Sequence, residues 1–162
     1  MNRSIPRSLP RLACGAALLW AAAAAAQPAI IPRLGRAPHP APETYIILKN
    51  YFADPAVGGF TLVSADPKTR TLVAKRVGID SATWRQWAYC KMGPSNLIDS
   101  MKRAAATVNV KIDPSGNRYS YVTVNADLEG TYALGSSATT RQCVSNGVLE
   151  NNILTAAGVK QS

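Results

Sequence analysis

The chain has 162 residues, with 18 Lys and Arg against nine Asp and Glu, one histidine and three cysteines. That length suits one domain with a real hydrophobic core, and so few His and Cys argue against zinc sites, which need several such ligands at short spacing. The formal charge of +9 is scattered: Lys75-Arg76 and Lys102-Arg103 are the only adjacent basic pairs, so nucleic-acid binding is disfavoured and weak attraction to an anionic envelope surface is all the charge suggests.

Residues 1–26 read as a secretory signal peptide. Met1–Arg11 carries Arg3, Arg7 and Arg11 and no acid, Leu12–Ala26 is an unbroken apolar run, and Ala24-Ala25-Ala26 before Gln27 fits a small-residue cleavage site. The run is shorter than the roughly 20 residues of a spanning helix, and no later segment approaches that length. Cys14 precedes most of the run, the wrong place for lipid attachment, and is expected to leave with the signal. The mature protein is therefore expected to be periplasmic or secreted, with no transmembrane segment. Loss of three arginines lowers the charge from +9 by three.

Residues 27–42, QPAIIPRLGRAPHPAP, contain five prolines and the only histidine, His39. Proline fixes φ and removes a donor, which predicts an extended tether ahead of a single domain over 43–162. Glu43–Asp54 reads as a helix, with Tyr45, Leu48 and Phe52 on one face, and a buried strand is the competing reading because the residues are β-prone. Phe60–Asp66 and Arg70–Arg76 read as a hairpin about Pro67.

Asp80–Ser95 is ambiguous. Asp80 or Ser81 could cap a short helix bearing Trp84 and Trp87, or the segment could be a strand ending at Cys90. Asn96–Arg103 suggests a helical turn or structured loop. In Thr107–Ile112 the residues Val108, Val110 and Ile112 alternate with polar ones, and after a turn Val122, Val124, Ala126 and Leu128 do the same. Tyr119, Tyr121, Thr123 and Asn125 then share the other face. Thr131–Leu134 suggests a further strand. Thr139 with Gln142 makes a capping-box pattern, which predicts a C-terminal helix over Thr139–Ala157. The whole predicts an α+β fold: an antiparallel sheet of about four to five strands, with an N-terminal and a C-terminal helix on one face.

Cys90 and Cys143 remain after the signal. In an oxidising compartment an even pair reads first as a disulfide, and the only histidine sits in the proline-rich segment, away from any catalytic pairing. Asp127 and Glu129 share a strand face and are the closest acidic pair, but read as solvated residues at a strand end. Glu150 falls on the apolar side of the C-terminal helix, where a partly buried carboxylate needs a partner and would anchor helix to sheet. No serine has a nucleophile setting and no phosphate or dinucleotide fingerprint occurs, so no catalytic residue, metal or cofactor is expected. Tyr119 and Tyr121, with Trp84 and Trp87, are the candidate binding surface.

The order helix, hairpin, further strands and final helix, over roughly Glu43 to Gly158, resembles the helix-grip domains of small exported proteobacterial envelope proteins, such as the accessory lipoprotein BamC of the outer-membrane β-barrel assembly machinery. The resemblance implies a non-enzymatic envelope binding or accessory module whose partner is another envelope protein. An enzyme inhibitor or immunity-type protein, working through the Gly-Pro-Ser loop within Lys91–Asn96, is the alternative. A hydrolase using Asp127 and Glu129 is the third reading.

Overall fold

In the computed structural model, which describes residues 33–90, 101–134 and 136–160, the elements follow one another as β1 (Arg33–Ala37), α1 (Ala41–Ala53), α2 (Pro55–Gly58), β2 (Thr61–Asp66), β3 (Thr71–Val77), α3 (Ser81–Trp87), β4 (Ala88–Tyr89), β5 (Met101–Ser115), β6 (Tyr119–Leu134), β7 (Ser137–Ser145) and α4 (Val148–Ala156). The class is α+β, with one sheet of seven strands in the order β2-β3-β5-β6-β7-β4, and β1 added to β6. Every pairing is antiparallel.

Side-chain alternation builds the centre. Ala104, Ala106, Val108, Val110 and Ile112 on β5 are buried, as are Ser120, Val122, Val124, Ala126 and Leu128 on β6. Residues two apart on a strand share a face, so both runs turn inward together once Ile112 stands opposite Val122. Leu72 and Ala74 extend this face across β3. Full burial of a Val, Leu, Ile or Phe side chain contributes about 1.5–3 kcal/mol, which makes this register costly to slip.

Helices α1 and α4 lie against this apolar face. From α1, Tyr45, Leu48 and Phe52 enter the core at the spacing the sequence predicts. Thr44 faces the sheet too, where its hydroxyl and that of Ser120 lie 2.8 Å apart, so each satisfies the other inside the core. Phe52 meets Phe60 edge-on at 5.7 Å, and Phe60 stacks on Trp87 at 6.1 Å. From α4, Leu149, Ile153 and Leu154 close the far side.

Four expectations are corrected. The first concerns the tether: its part within the described residues is structured. Arg33–Ala37 forms β1 against Ser120–Val124, and α1 already begins at Ala41. Pro32 and Pro38 flank the strand, and Pro42 falls in the first turn of the helix, where a missing N–H costs nothing. Residues 1–32, with the expected signal peptide, lie outside the described residues.

The second correction is to the strand count, seven against four to five. β1 and β4 are short and carry no legible alternation. Thr131–Leu134 is the continuation of β6 through Gly130, not a separate strand. The third correction is to Asn96–Arg103. Residues 96–100 lie outside the described residues, and 101–103 open β5. The ambiguous segment before it resolves as both alternatives in turn: α3, capped by Asp80, then β4.

The fourth correction is the largest. Thr139–Ser145 is not helix but lies within β7, paired along β6 from Leu128 to Leu134. The helix starts only at Val148. Thr139 and Gln142 therefore cap nothing. Instead Ser145 Oγ accepts the Gly147 N–H at 3.0 Å, and Asn146 Oδ1 accepts the Val148 N–H at 3.1 Å. Gly147 sits at the N-cap of α4 with φ +90, a backbone conformation that a residue with a Cβ resists.

Candidate functional site

The two faces of the sheet differ in kind. The inner face is apolar and covered. Among the described residues, the outer face carries no helix, and its positions on β3, β5 and β6 are half-buried or exposed. The register fixes its layout. One row runs Val73, Asn109, Asn125 across β3, β5 and β6, and the next runs Thr71, Lys111, Thr123. Beyond these, Asp113 stands opposite Tyr121, and Tyr121 opposite Arg36 on β1.

The two central rows enclose a shallow, open depression of about 150 Å³. Thr71, Val73 and Thr123 give it short side chains. The one long chain within the rows, Lys111, has its ammonium 3.1 Å from Asp113 Oδ1. In the floor, Asn125 Oδ1 is buried without a hydrogen-bond partner among the described residues. Its neighbour Asn109 has its amide 3.4 Å from Asp127 Oδ2, a long contact.

The tyrosines divide. Tyr119 is 38% exposed, but the Arg36 guanidinium lies over its ring at 3.9 Å from the centroid, a cation–π contact that occupies it. Tyr121 is 43% exposed and stands two residues from Thr123 on the same face. Leu34 on β1, opposite Thr123 and 65% exposed, adds an apolar edge that the sequence reading missed, because it placed residues 27–42 outside the fold.

The tryptophans do not belong to this surface. Trp84 is 0% and Trp87 6% exposed. Both turn inward from α3, where Trp87 stacks on Phe60 and lies under Arg76 at 5.2 Å. Their place in the candidate binding surface is corrected: seven helical residues bearing Trp at i and i+3 bury one face, and that face meets the core.

Cys90 and Cys143 form the disulfide, with Cα atoms 4.4 Å apart. It extends the β4–β7 ladder, in which Tyr89 stands opposite Val144 and Ala88 opposite Ser145. Two ladder residues make a weak strand, so the bond and the Asn146 N–H to Trp87 carbonyl contact at 3.0 Å hold this edge together. Cys143 is 6% exposed.

Glu150 is buried, and Ser145 Oγ donates to its Oε2 at 2.6 Å. The same hydroxyl accepts the Gly147 N–H, so one serine ties the end of β7 to the start of α4. This is the helix-to-sheet anchor the sequence suggested, with serine as partner. Asp127 and Glu129 do lie on one face, but each has a neighbour of its own. Glu129 accepts the Gln142 amide at 2.7 Å across β6 and β7. Among the described residues, no group of three or more His, Cys, Asp or Glu could hold a metal, and no helix is long and apolar enough to cross a membrane. The Gly-Pro-Ser loop within Lys91–Asn96 lies outside the described residues.

Two carboxylates titrate below their ordinary range. Hydrogen bonds from Thr83 hold down Asp80, and hydrogen bonds from Thr69 and Lys68 hold down Asp66. Both serve turns. Burial raises the Tyr51 phenol, opposed by the nearby positive charge of Arg76.

No protein-family model and no curated protein matches the chain. Among solved structures it is similar to a DUF4468 family protein from Bacteroides ovatus, at 10% identity and a TM-score of 0.39. The match covers 70% of this chain and 59% of that one, so the chain spans less than two thirds of that protein's length.

Proposed function

We propose that the protein is a non-enzymatic binding or accessory module of the cell envelope, exported through residues 1–26 and engaging another envelope constituent with the open face of its sheet. One observation carries the reading. Among the described residues, the outer face of β3, β5 and β6 leaves a polar depression and an exposed tyrosine uncovered, while the inner face of these strands packs under α1 and α4. The disulfide agrees with folding in an oxidising compartment. Stable antiparallel sheets tolerate one wet face, so the face need not be covered for folding and is free to bind.

Photo-cross-linking tests this in intact cells. A photoreactive residue at position 121 should give a defined adduct in the envelope. The same residue at position 46, exposed on α1, should give none. Adducts from 46 and not from 121 would move the binding surface to the helical side and defeat the reading. An adduct with a lytic enzyme would favour an inhibitor instead.

A further inference from the structure

The amides and hydroxyls at the centre of the outer face, beside an ion-paired Lys111, narrow the ligand class. From the row chemistry we infer that this face is a saccharide-binding platform, which takes a polyhydroxylated chain laid along β6 from Asn125 to Tyr121. The inference rests on the sheet-face reading above and specifies its ligand.

Three features support it. The first is the unmet amide: Asn125 Oδ1 is buried at the floor of the depression with no partner. A buried polar atom without a hydrogen bond is costly, so the amide gains by turning about its side-chain torsion to meet a ligand in the depression. A sugar hydroxyl both donates and accepts, so it satisfies the amide in either of its two orientations.

The second feature is the lining. Asn109, Thr71, Thr123 and Asn125 present amides and hydroxyls, while the one charge among them, Lys111, has Asp113 beside it. Such a floor matches a dense array of neutral hydroxyls better than a strongly charged group. Sugar sites commonly rely on hydrogen bonds from side chains whose partners in the free state are waters, and an open, wet face supplies them.

The third feature is the platform. Tyr121 lies four residues from Asn125 on the same face, about 14 Å along a strand rising about 3.4 Å per residue. Arg36 takes the Tyr119 ring, which leaves Tyr121 as the aromatic for the C–H face of a pyranose. A chain of two or more sugar rings would therefore touch both ends, whereas a single ring would touch one.

The test uses the oxidised mature protein, on an array of neutral and N-acetylated oligosaccharides, on purified lipopolysaccharide and on isolated peptidoglycan sacculi. Binding should appear with chains and not with the corresponding monosaccharides. Which arm retains the protein identifies the source of the sugar. Tyr121→Ala and Asn125→Val should each weaken it roughly tenfold or more, and Ile46→Ser should leave it unchanged. Near-ultraviolet circular dichroism and the melting temperature establish that each variant is folded. Should Asn125→Val not fold, Thr123→Val, an isosteric change in the same row, takes its place.

Retention on none of the three arms overturns the inference. So does retention that both face variants leave intact. A protein adduct from position 121 together with no sugar binding would keep the sheet-face reading and remove the saccharide. Absence of both would remove the two together.

Discussion

Tyr132 lies over Gly130, its neighbour two residues back on the inner face of β6: a Cβ added at Gly130 would stand 2.5 Å from the Tyr132 hydroxyl. The bare glycine lets the ring lie along the strand and bring that hydroxyl 2.9 Å from Cys90 Sγ. The ring is fully buried. Gly130, Tyr132 and the disulfide thus form one unit at the end of the core.

Gly130→Ala should therefore destabilise the protein by about 1–3 kcal/mol, the usual cost of forcing an extra methyl into a packed site. Urea unfolding measures it. The effect should be strongly non-additive with Tyr132→Leu, which removes the group that the new methyl strikes. Additive effects would show that the two residues do not share this space.

The disulfide closes a sequence separation of 53 residues. In the chain-entropy account a loop of that length stabilises by about 4 kcal/mol. Replacing Cys90 and Cys143 by alanine together should lower stability by that order. Unfolded, unreduced protein beginning at Gln27 should show no free thiol, and two after reduction.

Ser145 and Glu150 form a second coupled pair. Ser145→Ala leaves a buried carboxylate without its hydroxyl donor and should cost about 1–3 kcal/mol. Glu150→Ala should lower the melting temperature as well. A melting temperature unmoved by Glu150→Ala would remove the anchoring role.

Acid should weaken the Asp66 turn and the Asp80 cap of α3. Asp66 and Asp80 have folded-state pKa values below the ordinary 3.8, because Thr69 and Lys68, and Thr83, donate to the ionised forms. A carboxyl depressed by folding stabilises above its unfolded value, and that contribution is lost as pH falls through the folded value. Stability should therefore decline below pH about 4. Asp80→Asn and Asp66→Asn should each flatten that decline, as read from melting temperature against pH.

Sequence period was legible wherever a long element buries one face. Val108 to Ile112 and Val122 to Leu128 alternate for many residues, and Tyr45, Leu48 and Phe52 recur at helical spacing, so their faces could be assigned before any contact was known. The hairpin about Pro67 was legible for a different reason: Asp66 accepts from Lys68 and Thr69, a local turn contact that needs no distant partner. Of the candidate site, Tyr119 and Tyr121 were legible by parity along β6. Leu34 was not, because five residues between prolines carry no period.

The misread segment shows the limit. Thr139–Ser145 offers a capping pattern at Thr139 and Gln142, yet it lies within a strand. Local helix preferences are worth tenths of a kcal/mol per residue, while the exposed half of β6 offers seven ladder positions. By itself the sequence determined the class, the buried faces of α1, β5 and β6, and the cysteine pairing, since these follow from short-range period and composition. Only the tertiary structure decided which segments complete the sheet and which face is open among the described residues. Those outcomes depend on β6 being long enough to need two partners on its far edge, β1 over Ser120–Val124 and β7 over Leu128–Leu134.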